Sequence, residues 1–207
     1  MARYTEPRCR LCRRAGKKLF LKGERCFLPK CPVDKKGAVP PGQHGQRHRS
    51  RMTDYKGQLM EKQKAKETYG VLERQFRIYF KRALSKKGMT GEVLLQFLES
   101  RLDNVVYRLN FSPSRSAARQ LVRHGHILVD SRKVTIPSYQ VKKGQVIILS
   151  ARAVKIPAVK KILGEKRGEV PSWLQRKAAA GKIMRLPNRE EIGTEINEHL
   201  IVEYYSR

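Results

Sequence analysis

The sequence predicts an α+β protein, mostly helical, with one short antiparallel sheet and an irregular segment at its N-terminus. Apolar residues recur at helical spacing through much of residues 53–124. Two short runs of aliphatic residues, Ile127–Val129 and Val146–Leu149, follow and have the composition of strands. The first fifty residues show little periodicity and contain every cysteine of the chain, which predicts a segment without its own hydrophobic core.

The large positive net charge of the chain indicates the class of its partner. The 207 residues include 46 Lys and Arg against 18 Asp and Glu, for a formal net charge of +28. Such a charge repels itself unless a polyanion neutralises it, which favours nucleic acid or an acidic membrane. No apolar run approaches the roughly 20 residues of a membrane-spanning helix, and no signal peptide opens the chain. We therefore expect a cytoplasmic nucleic-acid-binding protein, without a membrane partner or a small-molecule substrate.

The cysteines have the spacing of a metal site. Cys9 and Cys12 form a C-x2-C pair, and Cys26 and Cys31 form a C-x4-C pair thirteen residues later. Two close pairs joined by a loop can converge on one ion, and four thiolates close its coordination shell. We predict one structural Zn²⁺; four free thiols and an iron–sulfur cluster are the alternatives.

Residues 32–51 are rich in Gly, Pro and basic side chains, which predicts a loop. We predict that this arm lies on phosphates, with Arg47 and Arg49 among the contacts. His44 and His48 also suggest a metal, but the cysteines already complete a site.

Helical character begins near Thr53 and becomes clearer in residues 68–88. The predicted buried stripe of this second stretch is Leu72, Phe76, Tyr79, Phe80 and Ala83. The basic residues Arg74, Arg77 and Lys81 fall on the opposite side, where we expect contact with a phosphate backbone.

Residues 99–150 are predicted to form two short helices followed by a strand pair. A buried stripe of aliphatic residues runs through the helical stretch 90–110, and Ser114 is a natural N-cap for the next helix. That helix carries Arg115, Arg119 and Arg123 at steps of four, which places the three guanidinium groups on one side. Three neighbouring positive charges repel one another, so we expect a polyanion to neutralise them.

Further basic residues lie next to this row along the chain. His124 ends the helix, and Arg132 and Lys133 follow Asp130 in the turn between predicted strands. We expect them to extend the nucleic-acid surface.

The last segment differs in charge. Residues 163–207 contribute only +1 to the net charge, so they are predicted to pack rather than to bind the polyanion. A capping-box spacing from Ser172 to Gln175 predicts a helix that runs through residue 180. Trp173 is interpreted as a core residue, and the run LIVEYYS as a final strand.

Four stretches of the chain carry a family resemblance. TYGVLERQFRIYF, TGEVLLQFLESRLDNVVYRL, SRSAARQLVRHGHILVD and VPSWLQ resemble, in order and spacing, the small-subunit ribosomal protein S-four family of bacteria. The similarity runs over essentially the whole chain, and the four cysteines resemble the zinc-binding form of the family. Residues 99–150 also resemble the RNA-binding module that is named after this family.

The resemblance implies an architecture. It implies a zinc-binding extension and arm over residues 1–50 and a helical domain made of residues 51–98 together with 163–207. The RNA-binding module, residues 99–162, would be inserted between these two parts.

The resemblance also implies a function. It implies a structural protein that binds small-subunit (16S) ribosomal RNA where helices of the 5′ domain meet, early in assembly of the 30S subunit body. Neighbouring small-subunit proteins and messenger RNA near its entry path would be further partners. The family is linked to translational accuracy, and some members repress their own messenger.

Two functions of other classes compete with this one. An RNA-modifying enzyme could hold its substrate with the same module, but the sequence has no P-loop, no nucleophile with a paired base and no carboxylate pair in an apolar setting. A zinc-ribbon nucleic-acid-binding regulator would need a recognition helix after the cysteines, and none follows. We therefore expect no enzymatic activity.

Overall fold

A computed structural model describes residues 3–45, 51–164 and 169–207. The chain divides into two compact units. The first comprises Met1–Gly91 together with Thr194–Arg207, and the second comprises Glu92–Gly193. The described residues form a mostly helical α+β fold with one five-stranded antiparallel sheet, which agrees with the predicted class.

The N-terminal segment of the first unit folds as short helices around a very small core. Helix α1 spans Cys9–Ala15, a 3-10 turn spans Gly23–Cys26, and α2 spans Pro32–Lys36. Leu19 and Leu21 are buried and pack with Cys12. So few apolar groups provide little burial free energy, and the segment needs another source of stability.

The rest of the first unit is helical. Helix α3 spans Asp54–Tyr69 and begins at Thr53, whose hydroxyl accepts a hydrogen bond from the Lys56 backbone. Helix α4 spans Glu73–Leu84. Helix α5, Thr90–Glu99, begins at the end of this stretch, and from Glu92 onward it belongs to the second unit. The predicted stripe of α4 is confirmed except at its first position, because Leu72 precedes the helix and is exposed.

The chain ends in helix α10, Glu198–Tyr205, and the predicted final strand is wrong. The Asn197 side chain caps this helix by accepting a hydrogen bond from the His199 backbone. The Tyr205 ring then stacks on Phe80 at 4.5 Å between centroids, and its hydroxyl donates to Glu73 at 2.8 Å. These contacts with α4 favour a helix over the strand that the β-branched and aromatic composition predicted.

In the second unit, which begins within α5, a break that periodicity did not reveal follows this helix. Helix α6, Leu102–Arg108, continues the buried stripe of α5, but Arg101 between them is extended and bridges to Gln140. The backbone NH of Leu102 donates to the Tyr139 carbonyl. The stripe predicts burial correctly, while pairing with residues 139–141 interrupts the helix.

Helix α7 spans Arg115–Arg123, and the Ser114 hydroxyl caps it by accepting from the Ala117 backbone, as predicted. Gly125 follows with φ +72°, a left-handed conformation that favours glycine. Strands β1, Ile127–Val129, and β2, Arg132–Lys133, form a tight hairpin. Its turn residues, Asp130 and Ser131, both have positive φ, so Arg132 and Lys133 lie in a strand and not in the turn.

The remaining strands complete one sheet in the order β2-β1-β3-β5-β4. Strand β3, Val146–Leu149, leads into two short helices, α8 at Ala151–Val154 and α9 at Pro157–Gly164. Strands β4, Leu174–Lys177, and β5, Ala180–Ile183, form a second hairpin, and β5 pairs with β3.

The second hairpin replaces the helix predicted after Ser172. The Ser172 hydroxyl donates to Glu191 instead of capping a helix, and Ala178 at the hairpin turn has φ +49°. Trp173 is only 1% exposed, which confirms its prediction as a core residue. The hairpin belongs to the second unit, whereas the family resemblance implied that residues 163–207 belong to the helical domain.

Candidate nucleic-acid interface

The arginine row on α7 does not point uniformly into solvent. The Arg115 Nε donates to Asn104 Oδ1 at 2.7 Å, and its guanidinium lies 4.6 Å from the centre of the Tyr107 ring. The Arg119 Nη1 lies 3.3 Å from Asp103 Oδ2, and its side chain is 12% exposed. Only Arg123, at the end of the helix, is exposed.

Two buried carboxylates hold this arrangement together. Asp103 accepts from Arg101 in a bidentate pair, at 3.0 and 2.7 Å, in addition to its contact with Arg119. Glu99 accepts from the Arg108 guanidinium at 2.7 and 3.0 Å. Burial lowers the pKa of Arg119, and the Asp103 carboxylate opposes that effect. The protein therefore supplies its own anion to Arg119, and the expectation that the whole row needs a polyanion is wrong at this residue.

The roles of Asp103 and Asn104 were not predicted from the sequence. Both lie in the first turn of α6, and both are buried. A buried Asp or Asn requires partners because desolvation of an unpaired polar group is costly. Their signal in the sequence was weak, since the two polar residues follow Leu102 in an otherwise apolar stripe.

The exposed basic residues of the second unit gather at the end of α7 and along β2. Arg123, His124, Arg132 and Lys133 are all exposed. Lys133 lies across the end of the helix, because a Cβ on Gly125 would come within 2.0 Å of Lys133 Cε. The prediction that these residues are neighbours is supported at Lys133, and we call these four residues the α7–β2 basic surface.

A second basic surface lies on α4 in the first unit. Arg74, Arg77 and Lys81 are exposed along the side opposite its buried stripe. Arg77 is 3.4 Å from Glu73, one turn away, and such exposed pairs are weak. All three side chains can therefore reach a polyanion. Arg47 and Arg49, predicted contacts of the arm, lie outside the described residues.

The four cysteines lie in the described N-terminal segment and form no disulfide. Cys12, Cys26 and Cys31 are buried. Burial raises the pKa of the Cys12 thiol, a backbone hydrogen bond from Leu19 opposes that rise, and the three other cysteines add to it. The Lys22 backbone NH donates to Cys26 Sγ at 3.4 Å. Within residues 3–45, 51–164 and 169–207, however, no three His, Cys, Asp or Glu side chains are arranged to hold a metal.

Comparisons with known proteins identify the family. Residues 3–99 match the ribosomal protein S4/S9 N-terminal domain, and residues 100–147 match the S4 domain. The small ribosomal subunit protein uS4A of Symbiobacterium thermophilum is 56% identical over the full length of both chains. The uS4 proteins of Natranaerobius thermophilus and Thermus thermophilus are 53% and 50% identical, also over full length. The chain belongs to the ribosomal protein uS4 family.

Membership in the uS4 family confirms the prediction of an rRNA-binding protein of the small ribosomal subunit that is not an enzyme. The two matched domains meet after Glu99, between α5 and α6. The match to the S4 domain contains all of the α7–β2 basic surface, whereas the hairpin β4–β5 lies beyond it. No helix in the described ranges is long and apolar enough to cross a bilayer.

Proposed function

We propose that the α7–β2 basic surface binds small-subunit (16S) ribosomal RNA directly. The observation that carries the proposal is the joint exposure of Arg123, His124, Arg132 and Lys133 beside a helix that partly buried hydrogen bonds fix to α6. Cationic side chains displace condensed counterions from phosphates, and this release drives much of the binding. The major groove of A-form RNA is deep and narrow, so such a surface reads backbone shape more than sequence.

Arg115 and Arg119 have a different role from that of Arg123 in this proposal. Their contacts with Asn104 and Asp103 fix α7 on α6, so they hold the exposed end of the helix in place. Both side chains retain some exposure and can add a phosphate contact of their own. Arg74, Arg77 and Lys81 form a second RNA contact in the first unit, and Arg47 and Arg49 are proposed as contacts of the arm.

The family resemblance supports a more specific place on the ribosome. We propose that the chain binds where helices of the 5′ domain meet and nucleates assembly of the 30S subunit body. Other small-subunit proteins and messenger RNA near its entry path are proposed neighbours. A contribution to translational accuracy, and repression of its own messenger, follow from the same resemblance.

Binding to ribosomal RNA and to duplex DNA at matched salt tests the first proposal. We expect clear preference for the ribosomal RNA, because the α7–β2 basic surface is proposed to fit a folded RNA junction. Equal affinity for both would contradict the proposal. Preference for the DNA would favour the zinc-ribbon regulator instead.

We propose further that Cys9, Cys12, Cys26 and Cys31 hold one structural Zn²⁺. The donor set fits the ion, since four thiolates satisfy tetrahedral coordination. Three of these side chains are buried in a segment with a very small apolar core, where an ion would supply the missing stability. The backbone NH bonded to Cys26 Sγ would support a thiolate there. The ion would cross-link the segment and would take no part in catalysis.

Metal analysis and amide exchange test the zinc site. We expect one zinc per chain in the purified protein, and faster amide exchange in residues 9–36 after removal of zinc by a chelator. Amides of α7 and β3, in the other unit, serve as the control and should be unaffected. Absence of zinc, or unchanged exchange in residues 9–36, would contradict the site.

A further inference from the structure

The cysteine segment exposes an aromatic pair, with Phe20 between the two cysteine pairs and Phe27 directly after Cys26. The rings of Phe20 and Phe27 stack with centroids 5.1 Å apart and planes inclined by 27°. Phe20 is 38% exposed and Phe27 is 72% exposed, and Leu28 beside them is exposed as well. Neither ring belongs to the small core of the segment, which consists of Cys12, Leu19 and Leu21 with partly buried neighbours.

The backbone at Phe20 adopts an unfavourable conformation, which directs its side chain out of that core. Leu19 and Leu21 are buried on either side of it, while Phe20 has φ +50°. A bulky residue without a glycine's freedom rarely adopts this left-handed conformation. Folding alone therefore does not explain why an aromatic residue stands there, and such an outlier is a reason to look for function.

Basic side chains lie close to the pair along the chain. Lys22, Arg25 and Lys30 are exposed, and among the described residues none of them forms an ion pair with a carboxylate. By contrast, Lys17 and Lys18 are bound to Glu195 and Asp34. An open aromatic face with unneutralised cations close by suits a ligand that is flat, apolar on its faces and anionic at its edge.

From this arrangement we propose that Phe27, supported by Phe20, stacks on an unpaired base of ribosomal RNA. Phosphates flanking the base would lie on Lys22, Arg25 and Lys30. Unstacked bases in loops and bulges of RNA are commonly recognised by stacking on aromatic side chains. The inference rests on the proposed binding to ribosomal RNA, and it adds a contact chemistry that the α7–β2 basic surface lacks.

Stacking and phosphate contact differ in their dependence on salt, which gives the test. Affinity of the full chain for small-subunit ribosomal RNA is measured over a range of salt concentrations for wild type, Phe27→Leu and Phe27→Tyr. We expect about a tenfold loss for Phe27→Leu, because base stacking on one ring is of that order. The slope of log K against log salt should stay unchanged, since the ring releases no counterions. Phe27→Tyr keeps a ring and should bind like wild type.

Two controls exclude a general effect of lost apolar surface and a folding defect. Met89→Ala removes another exposed apolar side chain of the first unit and should leave affinity unchanged. Zinc content and far-UV circular dichroism of Phe27→Leu should equal those of wild type, because Phe27 packs against no core residue.

The outcomes separate this inference from the proposed function. A wild type that binds ribosomal RNA while Phe27→Leu binds equally well overturns the stacking contact alone. Unchanged RNA affinity of Phe27→Leu with poorer incorporation into small subunits overturns it in favour of a protein neighbour. A wild type that does not bind the RNA overturns both proposals.

Discussion

At the scale of single residues, buried carboxylates determine which arginines remain available to a partner. Asp103 holds Arg119, and Glu99 holds Arg108, so these cations are already neutralised inside the protein. Arg123, on the same helix as Arg119, has an exposed side chain. Spacing at steps of four places side chains on one side of a helix, but their surroundings decide what each one does.

Replacement of Arg119 should therefore affect stability, and replacement of Arg123 should affect binding. We expect Arg119→Gln to lower the free energy of unfolding by about 1–3 kcal/mol, because it removes one hydrogen-bond partner of a buried carboxylate that still keeps Arg101. Arg123→Gln, the matched control, should change it by less than about 0.5 kcal/mol. Urea unfolding of both variants checks this, and equal stabilities would contradict the separation of roles.

Glu73 provides a prediction about pH. Burial would raise its pKa, but hydrogen bonds from Lys66 and Tyr205 and the nearby charge of Lys62 outweigh burial and lower the pKa to about 2. Since the folded-state pKa lies below the ordinary value of 4.5, the carboxylate stabilises the fold above that pH. The contribution is lost progressively as the pH falls toward 2.

Glu73→Gln should thus be destabilising by roughly 1–2 kcal/mol at neutral pH, a value reduced for partial exposure. The difference from wild type should shrink as the pH falls from about 5 to about 2. Glu67→Gln on the neighbouring helix is the control. Burial raises the pKa of Glu67, so loss of its charge should cost nothing at neutral pH. Unfolding curves for Glu73→Gln that stay a constant distance below wild type at every pH would refute this account.

At the scale of elements, the second hairpin depends on one close approach. A Cβ on Gly181 in β5 would lie 2.5 Å from Leu109 Cδ1, and Leu109 is fully buried in the core of the second unit. We expect Gly181→Ala to lower the free energy of unfolding by about 1–3 kcal/mol through overpacking. Gly164→Ala, where nothing lies within 4 Å, should not destabilise the fold. A stable Gly181→Ala variant would show that β5 can move away from Leu109.

The same hairpin is an element that the sequence did not predict, because it depends on pairing with a distant strand. Apolar spacing identified α4 and α7 because each buries one continuous face, and the cap at Ser114 follows from local chemistry alone. Residues 174–183 are strands because β3 offers them an edge to pair with, which no local pattern encodes. The helix of residues 198–205 similarly depends on contacts with α4, far away in the sequence. The same limit applies to the candidate interface. Its exposed cations were predicted from local spacing, while the buried partners of Arg115 and Arg119 were not.

At the scale of the whole molecule, the positive charge lies in the parts proposed to bind RNA, and the near-neutral C-terminal segment packs within the protein. Nearly all of the net charge of +28 lies before residue 163. The last fourteen residues return to the first unit, where Gln58 donates to Glu203 and Lys17 pairs with Glu195. The acidic side chains of this end are thus used within the protein. Cations on α4, on the α7–β2 basic surface and in the cysteine segment remain for the polyanion.

The salt dependence of binding to small-subunit ribosomal RNA tests the central proposal most directly. We predict that wild type loses affinity steeply with salt, and that the triple variant Arg123→Gln, Arg132→Gln, Lys133→Gln binds more weakly with a flatter slope. Each lost phosphate contact should reduce the slope by about 0.7–0.9. A control triple variant with Arg152, Lys155 and Lys160 changed to Gln removes the same charge from α8, from the residue after it and from α9, and should retain more of the slope. An unchanged slope in the first variant would contradict binding through the α7–β2 basic surface.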